Sequence, residues 1–154
     1  MTGPVNCVHH VVWCVRPENL ERVRALWQDA LGLELVDVDL PDLGLRVLIS
    51  WEGGVEIMSP VHDRGTLADS AREFLRTRGE GVYSVVFNVA ELDGAVAAVA
   101  AQGGSLVFQE TIAADELDDR QIVAEDPPER YAVKQALFDD LHGFRLCLQQ
   151  LIGE

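Results

Sequence analysis

The sequence predicts an α+β fold built from two tandem βαβββ modules, and three observations predict it. One order of elements, an apolar strand, a helix and three short strands, occurs twice along the chain. The first strands of the two repeats read alike, HVVWCV at 10–15 and SVVFNV at 84–89. Each is followed by a helix that stops at glycine and re-enters as a strand.

In the first module, residues 8–15 form a Val-rich run bounded by Pro17, short enough for a largely buried strand. After it, Leu20, Val23, Leu26, Trp27, Ala30 and Leu31 recur at helical spacing between a Pro-Glu start and the Gly32 stop. Segments 33–40, 45–51 and 55–58, separated by Pro41-Asp42 and Gly53-Gly54, read as a three-strand meander. The second module repeats the pattern: a strand at 82–89, an Ala/Val helix at 91–102 closed by Gly103 and Gly104, and strands at 105–112, 132–138 and 145–151. The expected organisation is a first module at 1–60, a helical linker at 61–81 and a second module at 82–154, forming one compact unit. Leu67, Ala71, Phe74 and Leu75 give the linker its helical spacing, and it is expected to lie on the surface.

The 154 residues hold 12 Lys plus Arg against 26 Asp plus Glu, a net charge of -14. Such a surface repels phosphate backbones and anionic membranes, which excludes nucleic acid and membrane surfaces as expected partners. No stretch reaches the roughly 20 apolar residues that cross a bilayer. The first residues lack a basic flank followed by an apolar run, so a cytoplasmic protein is expected. Cys7, Cys14 and Cys147 are read as reduced thiols. Residues 110–129 hold eight acids and one base. A solvated loop is the plain reading of that stretch, and a lid over a site the sharper one.

Strand alternation assigns faces. Val8, His10, Val12 and Cys14 share one face of the first strand; Val11, Trp13 and Val15 share the other and suit helix packing. By the same split, Tyr83, Val85, Phe87 and Val89 lie under the second helix, leaving Ser84, Val86 and Asn88 opposite. Glu56 is an acid alone in the apolar segment Val55 to Met58 and needs water, a cation or a hydrogen-bond partner. From periodicity alone, Glu56 fits a solvent-facing position as well as a site acid. His10 fits a satisfied core histidine as well as a ligand or base. Arg72 and Arg76, four apart on the linker helix, suit an anionic substrate tail; a solvated face with Asp69 and Glu73 as partners is the plainer account.

The run 8–15, the segment GGVEIMSP at 53–60 and the stretch LADSAREFLRTRGEGVYSVVFNV at 67–89 together resemble the vicinal oxygen chelate superfamily, also called the glyoxalase/bleomycin-resistance/dioxygenase fold. Its methylmalonyl-CoA epimerase-like branch is the most similar. The resemblance implies paired modules in a cup-shaped, mainly antiparallel sheet, a homodimer, and a divalent metal such as zinc, cobalt, manganese or iron. It puts His10 and Glu56 at the first module's metal positions. In the second module Ser84 stands where the family has a histidine, and Cys147 where it has a glutamate. Two donors are fewer than the three a catalytic metal wants, so a degraded or absent metal site is expected. His62 and His142 are the histidines available as substitutes.

The expected function is a small-molecule enzyme performing proton transfer, as an epimerase, isomerase or lyase, on a carbonyl or acyl-thioester substrate. Glu56 and His10 are the expected catalytic pair. Ser84, Asn88, Cys147, Tyr83, Arg72 and Arg76 are the expected substrate-binding residues. The alternative is a non-catalytic sequestering protein of the bleomycin-resistance type, with Trp51, Phe108 and Phe138 as apolar walls.

Overall fold

The computed structural model describes residues 5–119 and 130–153. They divide into two units, one of His10–Tyr83 and the other of the described residues of 1–9 and 84–154.

The first unit contains most of β1 (Cys7–Cys14), then α1 (Leu20–Ala25), β2 (Val36–Leu40), β3 (Leu45–Ser50), β4 (Val55–Ser59) and α2 (Ala68–Arg78). Pro17, with its fixed φ, opens the 3-10 turn that leads into α1, and a π turn at Leu26–Ala30 leads out. Strands run in the order β2-β3-β4-β1; β2–β3 and β3–β4 are antiparallel, β4–β1 parallel. The parallel join needs a crossover, which α1 supplies.

Alternation along β1 splits the core. Trp13 and Val15 pack with Leu20, Val23 and Trp27 on one face, over Leu48, Val55 and Ile57. His10, Val12 and Cys14 are buried on the other. There the Cys14 thiol donates to the Ala71 carbonyl at 4.0 Å, so α2 covers the end of that face. The linker helix lies on the surface with one face docked: Ala68, Ala71, Phe74 and Leu75 are buried, while Asp69, Glu73 and Arg76 are exposed. Its start is locked where Gly44 meets Gly65: a Cβ on Gly65 would stand 2.0 Å from the Gly44 nitrogen. Thr66 N to Asp42 O at 3.1 Å and Leu67 N to Leu43 O at 3.0 Å hold the approach.

The second unit contains β5 (Gly81–Asn88) from Ser84 on, α3 (Leu92–Ala101), β6 (Ser105–Ile112), α4 (Ala114–Asp119), β7 (Tyr131–Leu141) and β8 (Phe144–Gly153). The order β5-β8-β7-β6 repeats that of the first unit, again with one parallel and two antiparallel pairings. Helix α3 starts at Glu91, whose carboxylate accepts from Asp93 N and Gly94 N and satisfies two orphan donors. It packs Leu92, Val96 and Val99 against Phe87, Phe138 and Leu148. Both units thus carry the βαβββ order, the glyoxalase/bleomycin-resistance fold class.

Two expectations are corrected. Residues 110–119 are not loop: β6 runs to Ile112, and α4 follows because Leu117 can bury against Ile112 and Val133. The rest of that acidic stretch, 120–129, lies outside the described residues. Tyr83 does not sit under α3; it packs edge-on against Phe74 of α2, centroids 5.2 Å apart, with its hydroxyl 2.7 Å from Ser70 Oγ. Alternation fixes a side chain's parity, and the element that covers each end of a strand fixes its neighbours.

Candidate functional site

The register of β1 on β4 sets Val12 opposite Glu56. Cross-strand partners share a face, and so do residues two apart on a strand, which puts His10 and Glu56 on one side of the sheet. His10 Nε2 lies 3.2 Å from Glu56 Oε2. The imidazole is 5% exposed and the carboxylate side chain 22%. Glu56 is flanked across the strands by Val12 and Ile49, both buried. Among the described residues His10 is its one polar side-chain partner. Trp51, in the turn from β3 to β4, meets the His10 ring edge-on at 5.3 Å and 82°. The pair is neither under α1 nor turned out to bulk water, and it joins a carboxylate to a ring that carries or orients a proton.

In the second unit the matching positions follow from register. Val86 lies opposite Cys147 as Val12 lies opposite Glu56, so Cys147 is the counterpart of Glu56 and Ser84 the counterpart of His10. Both are buried. Asn88 accepts from Gln149 Nε2 at 3.1 Å, again in buried surroundings. Phe138 is core under α3, and Tyr83 belongs to the first unit.

The arginines have intramolecular partners. Arg72 donates to the His62 carbonyl, to the Asp63 carbonyl at 3.3 Å and to Asp69 at 3.4 Å, tying α2 to the loop before it. Arg76 forms a fork on Glu73 at 2.9 and 2.7 Å, which holds the guanidinium's proton more tightly and lowers the Glu73 pKa. His62 is paired with Asp39 at 2.6 Å, and His142 sits at positive φ in the β7–β8 turn. Neither joins His10.

A zinc, cobalt, manganese or iron ion wants at least three protein donors in a catalytic site. His10 and Glu56 supply two, and among the described residues no three His, Cys, Asp or Glu side chains gather where an ion could sit. Within the first unit, His10 and Glu56 are the residues that would hold such an ion. The sequence reading missed the ring contact of Trp51, because a turn residue carries no periodic signal. It also missed Gln149, whose pairing with Asn88 depends on the β5–β8 register.

Residues 9–123 match the family described as the Glyoxalase/Bleomycin resistance protein/Dioxygenase superfamily. No curated protein matches the chain in sequence. Among solved structures, a hypothetical protein from Bacillus halodurans superposes with a TM-score of 0.65 at 17% identity, covering 93% of this chain and 92% of that one. A methylmalonyl-CoA epimerase from Mycobacterium tuberculosis gives 0.61 at 21%, over 95% and 88% of the two chains. A methylmalonyl-CoA epimerase in complex with methylmalonyl-CoA and NH4+ gives 0.63 at 15%, over 96% and 95%. At these identities the likeness carries the fold alone. No helix among the described residues is long and apolar enough to cross a membrane.

Proposed function

Because the chain belongs to the Glyoxalase/Bleomycin resistance protein/Dioxygenase superfamily, we propose that it performs proton transfer next to the carbonyl of a small molecule, an acyl thioester being the first substrate class to test. The observation that supports this reading is the His10–Glu56 pair, 3.2 Å apart on an otherwise apolar stretch of sheet. Glu56 Oε2 is occupied by His10, which orients the carboxylate. Oε1 is left to take a proton from carbon. The C–H bond breaks, its electron pair moves into the enolate and the proton rests on Glu56 until it is returned. Apolar neighbours on both sides limit water's competition for the base. Two solved structures of this fold are methylmalonyl-CoA epimerases, one of them in complex with methylmalonyl-CoA, which is why an acyl thioester is the first class to test.

The donor count favours one other reading. A site with two ligands where the family binds metal suits a protein that binds and sequesters without turnover. Incubation with methylmalonyl-CoA in deuterated water separates the two. Deuterium entering the carbon next to the thioester, abolished by Glu56→Gln, is expected for proton transfer. Binding without exchange, at an affinity that Glu56→Gln leaves unchanged, would overturn it in favour of sequestration.

A further inference from the structure

The β3–β4 turn carries a side chain that the repeated fold does not require. Trp51 stands two residues past Ile49, which lies opposite Glu56. By count along the strand its counterpart, two residues past Leu137 opposite Cys147, is Asp139, which pairs with Arg145 at 2.8 Å. A unit of this fold thus closes that end without an aromatic ring. The indole accompanies the imidazole: the unit with His10 has Trp51, and where the other has Ser84 the counterpart of Trp51 is an aspartate.

The turn holds that ring in place. Gly54 N donates to Trp51 O at 3.1 Å and closes the turn, and Gly53 N donates to the Oγ of buried Ser50 at 3.3 Å. Gly54 O also accepts from Val11 N at 2.9 Å, so the turn is bonded to β1 one residue from His10. The two rings meet at 5.3 Å and 82°, an edge-to-face arrangement that favours one orientation of the pair. The χ2 torsion of a histidine is otherwise broad, and turning the ring over exchanges its carbon and nitrogen edges. For His10 such a turn would carry Nε2 away from Glu56 Oε2, from which it now lies 3.2 Å.

We propose that Trp51 is a positioning residue for the His10–Glu56 pair: it holds the imidazole plane so that Nε2 faces the carboxylate, and through the imidazole it holds the carboxylate. Its part in turnover rests on the proton-transfer reading; its hold on the ring does not. A carboxylate only accepts, so with Nε2 facing it the neutral ring carries its proton on that nitrogen.

The test is long-range 1H–15N correlation of the histidine rings in the 15N-labelled full chain, with a chelator present and at about pH 8.5, above the usual imidazole range. His10 is assigned by the loss of its signals in His10→Gln. The unaltered chain is expected to show His10 as one species protonated at Nε2, and Trp51→Phe to show the same, since a phenyl ring restores the contact. Trp51→Ala should show a mixture of the two ring tautomers. A mixture in the unaltered chain would overturn the proposal whether or not any variant folds, and so would a single Nε2–H species in Trp51→Ala. Where deuterium enters methylmalonyl-CoA, Trp51→Ala should lower kcat about tenfold or more and leave KM within about twofold. A loss carried by KM alone would make Trp51 a substrate contact and overturn the positioning role. No substrate enters the ring measurement, so its failure is distinct from failure of the proton-transfer reading.

Discussion

Glu56 and Cys147 hold one register position in two units: Glu56 lies opposite Val12 where β4 meets β1, and Cys147 lies opposite Val86 where β8 meets β5. The repeat has kept the backbone relation and exchanged a carboxylate for a buried thiol. At this position a full negative charge is available in only one unit, and Glu56 is the acid on which proton chemistry rests.

Glu56→Gln keeps a carbonyl oxygen within reach of His10 and removes the base. Thermal stability should change by less than about 1 kcal/mol, the scale of one hydrogen bond exchanged for another. Deuterium exchange into methylmalonyl-CoA should fall by about 10²–10⁴, the usual worth of a positioned base. Melting and exchange measured on the same preparation check both halves. A large loss of stability with exchange intact would make Glu56 a structural acid.

The three cysteines differ in access. Cys7 is half-buried, Cys14 is 0% exposed beneath α2 and Cys147 is 7% exposed. Alkylation by iodoacetamide with peptide mass spectrometry should therefore label Cys7 in the native chain, and Cys14 and Cys147 only after denaturation, since a thiol must reach solvent to react. Labelling of Cys147 at the rate of Cys7 would show that its strand opens in the native state.

Much of this architecture is legible from local pattern. The alternation in β1 puts Trp13 toward a helix and His10 away from it, and the fold agrees, because a two-residue period is a property of one strand. The doubled βαβββ order is legible for the same reason. Tyr83 is not, since its neighbour Phe74 is supplied by the docking of α2. The Asn88–Gln149 pair is hidden still more deeply: each residue alone reads as an ordinary polar strand residue, and only the β5–β8 register brings the two together.

The approach of Gly44 to Gly65 makes a sharper test of the docked linker. Gly44 has φ +79°, and a Cβ there would lie 2.5 Å from Ala68 Cβ and 2.6 Å from the Arg64 carbonyl. Gly44→Ala should cost about 3 kcal/mol or more, backbone strain and overpacking together. Gly79, at φ +78° with nothing within 4 Å, meets only the strain, so Gly79→Ala should cost about 1–2 kcal/mol. Urea denaturation of both variants gives the difference. Equal costs would mean that α2 is not pinned at its start.

The acid limb of stability should carry the mark of Asp37. Arg46 donates Nε to Oδ1 at 2.9 Å and Nη2 to Oδ2 at 2.6 Å, and Arg24 donates to the same Oδ2. The Arg46 fork first, then Arg24, holds the carboxyl down from its usual 3.8 to about 2. The folded state thus binds this proton less readily than the unfolded chain. The stabilisation is fully present above the unfolded value and is lost as pH falls from 3.8 toward 2. The side chain is 32% exposed, and solvent screening reduces the contribution to about 1 kcal/mol. The native chain should exceed Asp37→Asn by that amount at neutral pH in urea denaturation. The gap should narrow through the acid window and nearly close below it. A gap that stays constant down to the lowest pH would show that the ionised carboxylate is not what the two arginines require at this position.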